Sequence, residues 1–207
     1  MINKYLDRPL IDLISVLQVR SFTTHYMGIQ AVKNPLDHWV YQEIIHDTDP
    51  DFIIEIGVFK GGHLLALAHL CDARNRGTVI GIEPVLDRVD PRVTSHPRVW
   101  FIADEGVKAA PEVAAIVGDG RVLIIEDSSH TYENTLAVLE SYAPICKSGD
   151  YFVVEDTNCN YGPKIYPEFD PYAAVERFLS SHSEFYRDVS RESFVLTWNP
   201  GGFLKRK

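Results

Sequence analysis

Acidic residues recur in this chain where apolar runs stop. Glu55 lies inside the run at 52–56, and Glu83 follows the run at 78–82. Asp104 follows 98–102, Glu126 and Asp127 follow 122–125, and Glu155 and Asp156 follow 151–154. A single carboxylate in such a place accepts hydrogen bonds from a ligand's hydroxyl, amino or ammonium group. Several carboxylates brought together repel and push one another's pKa up unless a cation joins them.

Glu55 leads into Gly57-Val58-Phe59-Lys60-Gly61-Gly62-His63, a G-x-x-x-G-G spacing. Glycine permits positive φ and lets backbone approach a ligand closely. The pattern is not the G-x-G-x-x-G of a dinucleotide turn. An acid two residues before the first glycine suits an ammonium-bearing ligand, such as S-adenosylmethionine, better than a pyrophosphate. A strand, a glycine turn and a helix also occur as plain scaffold, so this stretch has a bland reading beside the chemical one. In the donor-binding reading Glu83 accepts from both ribose hydroxyls and Asp104 from an adenine amino group. The bland alternative for each is a solvated acid at a turn.

In the usual strand order Asp127, Glu155 and Asp156 end neighbouring strands. Carboxylate oxygens, with no cysteine or paired histidine nearby in sequence, suit a hard ion. Mg²⁺ is the natural choice, and Mn²⁺ or Ca²⁺ also fits. The alternative leaves Asp127 alone in a cleft and the other two in solvent. His130, three residues beyond Asp127, is open to three roles: general base, metal ligand, or a packing residue that orients its loop. His63 reads as a helix-start cap or a support for the ligand-binding acids. Trp39, Tyr26 and Tyr161 are candidates for an aromatic substrate wall, although most aromatics belong to the core.

These side chains meet only if the runs form one sheet. The runs alternate with helical periodicities at 35–46, 62–73, 107–117, 133–145 and 171–182, which predicts a largely parallel sheet with helices on both faces. Ligands of such sheets bind outside the carboxyl ends of the strands. Asn34-Pro35 reads as an N-cap and first helical residue, and Asp170-Pro171 also starts a helix. Residues 9–17 place Leu10, Leu13, Ile14 and Leu17 on one helical face. Residues 21–33 show no period and read as a surface loop over the site, with 157–169 as a second loop shaping the pocket. Residues 85–97 read as irregular, and Pro111 weakens the helix at 107–117. Residues 185–189 and 194–198 read as a closing hairpin, broken at Asn199-Pro200-Gly201-Gly202 before a basic tail. The expected organisation is a helix-and-loop extension at 1–34 and one domain at 35–207.

A length of 207 residues suits one α/β domain with a short extension. A formal net charge of -9 and a pI near 5.3 disfavour a nucleic-acid surface, which needs clustered Lys and Arg. Cys71, Cys146 and Cys159 form no C-x-x-C pair, which argues for a reducing compartment and against a structural zinc. No apolar run approaches the ~20 residues that span a bilayer, and MINKYLDRPL lacks the apolar core of a secretory signal. A soluble cytoplasmic protein with no membrane partner is expected.

Several stretches now resemble a known family: Pro35-Leu36-Asp37 with Gln42-Glu43, IIEIGVFKGGHLLALA, GIEP, IIEDSSHTYENTLAVLESYAPICKSGDYFVVEDT and TWNPGGFLKRK. They are similar to the cephalosporin hydroxylase / rhamnosyl O-methyltransferase family of S-adenosylmethionine-dependent enzymes. D-x-x-H together with SGDYFVVEDT is the most specific part, and macrolide-sugar O-methyltransferases look similar at the same strand ends. The resemblance implies the Rossmann-like class I methyltransferase fold, a seven-stranded, mostly parallel sheet whose last strand is antiparallel. It implies that Glu55, Gly57, Lys60, Gly61, Gly62 and Glu83 bind the donor, with Asp104 at the adenine. It implies Mg²⁺ on Asp127, Glu155 and Asp156, and a homo-oligomer. The chain departs from the family pattern in three places. Glu83 replaces a usual aspartate, Ala103-Asp104-Glu105 replaces a usual G-D-S, and His63 replaces a frequent serine.

The expected function is Mg²⁺-dependent O-methyl transfer to a hydroxyl of a small molecule, a sugar or a natural product such as an antibiotic. Asp127 or His130 would take the proton. One alternative is a metal-dependent hydroxylase, which needs two histidines and a carboxylate and would have to bring His25 or His182 beside His130. Another is a non-catalytic donor-binding partner subunit.

Overall fold

The computed structural model describes residues 9–159 and 168–207. Residues 1–8 of the expected extension, and Tyr161 with 160–167 of the expected second loop, lie outside them.

Helix α1 (Leu10–Ser21) leads to a short hairpin, β1 (His25–Tyr26) and β2 (Ile29–Gln30). Met27 and Gly28 between them have φ of 50° and 83°, the left-handed pair that a two-residue hairpin turn requires. The stretch at 21–33 is therefore ordered pairing, not an irregular loop. Leu10 and Leu17 are exposed and Leu13 and Ile14 half-buried, so the stripe read at 9–17 stays largely outside the core. Helix α2 (Pro35–Thr48) starts as expected: Asn34 Oδ1 accepts from the Leu36 N–H at 3.1 Å.

The main sheet contains β3 (Phe52–Ile56), β4 (Thr78–Ile82), β5 (Val99–Ile102), β6 (Val122–Glu126), β7 (Tyr151–Val154), β8 (Phe185–Arg187) and β9 (Phe203–Arg206). Their order is β5-β4-β3-β6-β7-β9-β8, with β9 antiparallel to both neighbours and the first five strands parallel. Between the strands run α3 (Gly62–Ala73), α4 (Pro91–Thr94), α5 (Gly106–Val117), α6 (Tyr132–Tyr142) and α7 (Pro171–Leu179). Strand period two sends alternate residues to opposite faces. Ile54, Ile56, Ile80 and Ile82 pack with Val113, Leu139 and Phe178 of α5, α6 and α7. Ile53, Val79, Leu123 and Ile125 pack with Tyr41, Ile44, Leu64 and Leu67 of α2 and α3.

The expected closing hairpin is corrected. Residues 194–198 are not a strand; the partner of β8 is β9, built from the basic tail. Two features explain the shift. Phe203 and Leu204 supply the buried apolar pair that the sheet needs there. Gly202 admits the chain against β7, because a Cβ on it would lie 2.2 Å from the Val154 carbonyl oxygen, and Val154 N–H donates to Gly202 at 2.9 Å. The Asn-Pro-Gly-Gly stretch is thus the entry to the last strand.

Candidate functional site

The glycine turn is held by contacts that a side chain would prevent. Gly57 has φ 91°, and a Cβ on it would lie 2.2 Å from the Asp127 carbonyl oxygen. The ends of β3 and β6 close up only because it has none. A Cβ on Gly62 would lie 2.6 Å from the carbonyl oxygens of Ile29 and Gln30, so β2 is pressed onto the start of α3. Glu83 Oε2 accepts from the N–H groups of Val58 (3.2 Å) and Phe59 (3.1 Å), and Oε1 from that of Val85 (3.2 Å). These amides form an anion seat, and the chain's own carboxylate fills it, which leaves no place there for a phosphate. Gly61 caps α3 with φ 86°. Lys60 is half-buried with its ammonium 5.6 Å from the Phe59 ring centroid. Asp104 is half-buried and accepts from the Glu105 N–H at 2.8 Å.

The acids at the ends of β3, β6 and β7 meet around Lys33. Its ammonium donates to Asp127 Oδ2 and lies 2.7 Å from Glu155 Oε1 and 3.7 Å from Glu55 Oε1. Burial opposes that charge, but Asp127, Glu155 and Glu55 outweigh it and hold the ammonium above the usual lysine range. Lys33 arrives directly after Val32, whose φ is 50°. A β-branched residue resists that conformation at a cost of about 1–3 kcal/mol, which the three ion pairs offset. Tyr41 donates to Glu155 Oε1 at 2.7 Å. Burial pushes Glu55 up to about 7 against the pull of Lys33. His63 Nδ1 lies 2.6 Å from Glu55 Oε1, and burial lowers that imidazole to about 3. Glu55 Oε2 is buried with no hydrogen-bond partner among the described residues.

A second group lies on the pocket side of the same carboxylates. Asp127, His130 and Asp156 each place a ligand atom within 4.8 Å of the others. His130 Nε2 is 3.5 Å from Asp156 Oδ2 and 3.9 Å from Asp127 Oδ1. His130 and Asp156 have φ of 56° and 55°, uncommon for residues other than glycine. Asn199 Oδ1 accepts from the Asp156 N–H at 3.0 Å, and the His130 carbonyl accepts from Asp170 N–H at 3.1 Å. Burial pushes Asp127 up to about 6, against Lys33 and His130. Two carboxylates and an imidazole form a fitting donor set for a divalent ion. The unpartnered Glu55 oxygen fits an ammonium-bearing donor.

A cavity of about 420 Å³ opens over this rim, bounded by Lys33, Glu55, Gly57, Asp127, His130 and Asp156 and roofed by Phe22, Phe169 and Trp198. Glu83, Lys60, Asp104 and Glu155 do not line it. Trp39 is 58 % exposed and outside it, and Tyr26 turns away to bond His69 Nδ1 at 3.0 Å. His25 bonds the Thr23 carbonyl and His182 that of Phe178; neither joins His130. Sequence reasoning missed Lys33, Tyr41, Asp37 and Trp198. Asp37 is buried, accepts from the Trp198 N–H at 2.8 Å and Asn34 Nδ2 at 3.0 Å, and is pushed up to about 7 by burial. A lone lysine in an aperiodic segment gave no signal; Asp37, an acid on the same helical stripe as the buried Val40, Tyr41, Ile44 and Ile45, gave a weak one.

The family model described as Rhamnosyl O-methyltransferase/CmcI matches residues 18–207. A rhamnosyl O-methyltransferase of Mycobacterium tuberculosis is 34% identical over 196 residues, covering 88% of this chain and 78% of that protein. One of Mycobacterium leprae is 33% identical over 196 residues, covering 89% and 84%. A solved structure of CmcI with Mg and SAM superposes with a TM-score of 0.71 at 19% identity, covering 90% of this chain and 77% of that one. At that identity the likeness speaks for the fold.

Proposed function

The chain belongs to the Rhamnosyl O-methyltransferase/CmcI family, and we propose that it methylates a hydroxyl of a small molecule, a sugar or a natural product. In this reading S-adenosylmethionine is the donor and a divalent ion, Mg²⁺ or a close substitute, assists. One observation carries it: a glycine turn whose anion seat is already filled, and a rim of carboxylates, share a single cavity.

When bound, the donor supplies an activated methyl group and the ion supplies positive charge that acidifies the acceptor hydroxyl. The chain's residues do the rest. Glu55, with a free buried oxygen, accepts from the donor's ammonium, and Gly57 lets the backbone lie close to it, while Gly61 and Gly62 shape the turn by admitting Val93 and β2 against it. Glu83 braces the turn and offers its remaining lone pairs to ribose hydroxyls, with Lys60 of the same turn as a further donor contact and Asp104 toward the adenine. Asp127, Glu155 and Asp156 supply the negative charge that a divalent ion requires. Asp127 or His130 takes the acceptor's proton. Phe22, Phe169 and Trp198 exclude water and orient the acceptor; alignment of this kind is worth up to about 7–11 kcal/mol of barrier.

The extension expected at 1–34 contributes in this reading, through its described residues 9–34, a roof to the site of a domain at 35–207. The exposed Leu17, Val19 and Phe22 of the N-terminal segment support a homo-oligomer, which light scattering tests. Three buried unpaired cysteines support a cytoplasmic location, and no helix among the described residues is long and apolar enough to cross a membrane.

Isothermal titration with S-adenosylhomocysteine, followed by transfer of a labelled methyl group to rhamnosides and related glycosides, tests the function. Micromolar binding and Mg²⁺-stimulated transfer are expected. Absence of binding at millimolar concentration refutes it.

A further inference from the structure

Four buried side chains in the wall of the cavity carry a polar atom with no hydrogen-bond partner among the described residues: Gln18 Oε1, Glu55 Oε2, His63 Nε2 and Trp198 Nε1. Buried polar groups are paired in the great majority of cases, so orphans around one cavity leave their partners to what the cavity holds. Glu55 and His63 are neighbours, 2.6 Å apart through Oε1 and Nδ1, at the end read above as the donor's. Gln18 and Trp198 come from α1 and from the stretch before β9, and the donor reading gives them no partner.

Their placement is not that of ordinary packing residues. Helix α1 exposes Val16, Leu17 and Val19 and buries Gln18, the reverse of an amphipathic helix on a core. Breaks of a local rule of this kind gather at functional positions. Trp198 is fixed on both sides of its backbone. Its N–H donates to Asp37 Oδ2 at 2.8 Å, and its carbonyl accepts from the Asn158 N–H at 3.1 Å. The next residue, Asn199, accepts from the Asp156 N–H at 3.0 Å, which ties the indole to the acid rim. An indole N–H donates and never accepts, whereas an amide oxygen accepts. Together they suit a ligand that offers both an acceptor and a donor, as hydroxyl groups do. A hydrocarbon surface against them would leave both unpaired, which is costly.

We propose that Gln18 and Trp198 read the hydroxyl groups of the acceptor that are not methylated: Trp198 Nε1 donates to one, and Gln18 Oε1 accepts from one. The site therefore selects a polyhydroxylated ring over an alcohol or phenol with a single hydroxyl, whose only oxygen is taken up by the methyl transfer. The proposal rests on the methyltransferase reading above.

The test uses the full chain saturated with S-adenosylhomocysteine and Mg²⁺, with methyl pyranosides as probes, each beside its monodeoxy counterparts, in titration calorimetry. The wild type is expected to bind at least one pyranoside and to lose about tenfold or more in affinity when one non-reacting hydroxyl is removed, because a buried group is then left unpaired. Trp198→Phe keeps a ring and removes the N–H; Gln18→Met keeps the length and removes the amide. Each is expected to weaken the hydroxylated probe by about tenfold and the matching deoxy probe by less than about threefold, so that the preference disappears. In transfer assays the loss should fall on KM and leave kcat within about threefold, as for an interaction made equally in ground and transition states. A residue that only packs would weaken both probes alike, and that result in either variant overturns the proposal for that residue. If neither variant folds, the wild type decides alone: cyclohexanol bound as tightly as every pyranoside overturns the proposal. A wild type that binds S-adenosylhomocysteine but no pyranoside also overturns it and leaves the methyltransferase reading standing, whereas absence of S-adenosylhomocysteine binding overturns both.

Discussion

Tyr41 and Glu155, 114 positions apart in the chain, are joined by a 2.7 Å hydrogen bond from the phenolic hydroxyl to Oε1. Both are buried. Helix α2 thereby steadies the carboxylate at the end of β7 on the same oxygen that Lys33 reaches. Tyr41→Phe removes one donor from a buried charged acceptor and is expected to cost about 1.5–3 kcal/mol of stability. Urea unfolding at pH 7 measures it; an unchanged midpoint contradicts the account.

Asp127 is the carboxylate that touches both groups, Lys33 on one oxygen and His130 on the other side. Asp127→Asn keeps the shape and removes the charge. Methyl transfer is expected to fall by about 10²- to 10⁴-fold, as for loss of a positioned acid–base group. S-adenosylhomocysteine affinity should change by no more than about threefold, under 1 kcal/mol. Equal loss of both would place Asp127 in donor binding instead.

Gly62 decides whether the N-terminal hairpin seats. Alanine would favour helix α3 by up to about 1 kcal/mol on propensity alone. Its Cβ, however, would lie 2.6 Å from two backbone carbonyl oxygens of β2, and backbone yields less readily than a side-chain tip. Gly62→Ala is therefore expected to unseat residues 22–33 and expose the bonds after Arg20 and Lys33 to trypsin, with the sheet intact by circular dichroism. Wild-type resistance at those bonds would show that the contact is absorbed elsewhere.

The buried Asp37 gives stability a pH dependence of known sign. Folded, its carboxyl holds a proton up to about pH 7 because burial disfavours the charge; unfolded, it releases the proton near pH ~4. Between these values the folded state binds more protons, so this contribution falls as pH rises. Asp37→Asn has no proton to lose there. Its stability relative to wild type is expected to improve between pH 5 and pH 8, as read by urea titration at both. A constant difference would mean that Asp37 is ionised throughout.

The sheet, its strand ends and most helix starts were legible because each rests on a local pattern: apolar runs, N-caps at Asn34 and Asp170, and glycines where φ turns positive. The convergence of Glu55, Asp127, Glu155 and Asp156 followed from the rule about strand ends. Lys33 was not legible, because what makes it central is three partners 22 to 122 residues away and no periodicity in its own segment. The last strand was misplaced for a related reason. Residues 194–198 are more apolar and β-branched than Phe203–Arg206, and it is the buried pair Phe203-Leu204 and the fit of Gly202 against β7 that select the later stretch. Trp39 and Tyr26 were aromatic without facing the cavity, since residue type carries no direction.

The position of β9 between β7 and β8 makes it a keystone. Among the described residues strand β8 has no other neighbour in the sheet, so any fluctuation that lifts β9 sets β8 adrift as well. The stretch just before β9 is tied inward too, with Trp198 N–H on Asp37 and Asn199 on Asp156. In amide exchange, Phe185–Arg187 and Phe203–Arg206 should therefore open as one unit, with the Asp156 amide following them before the parallel strands yield.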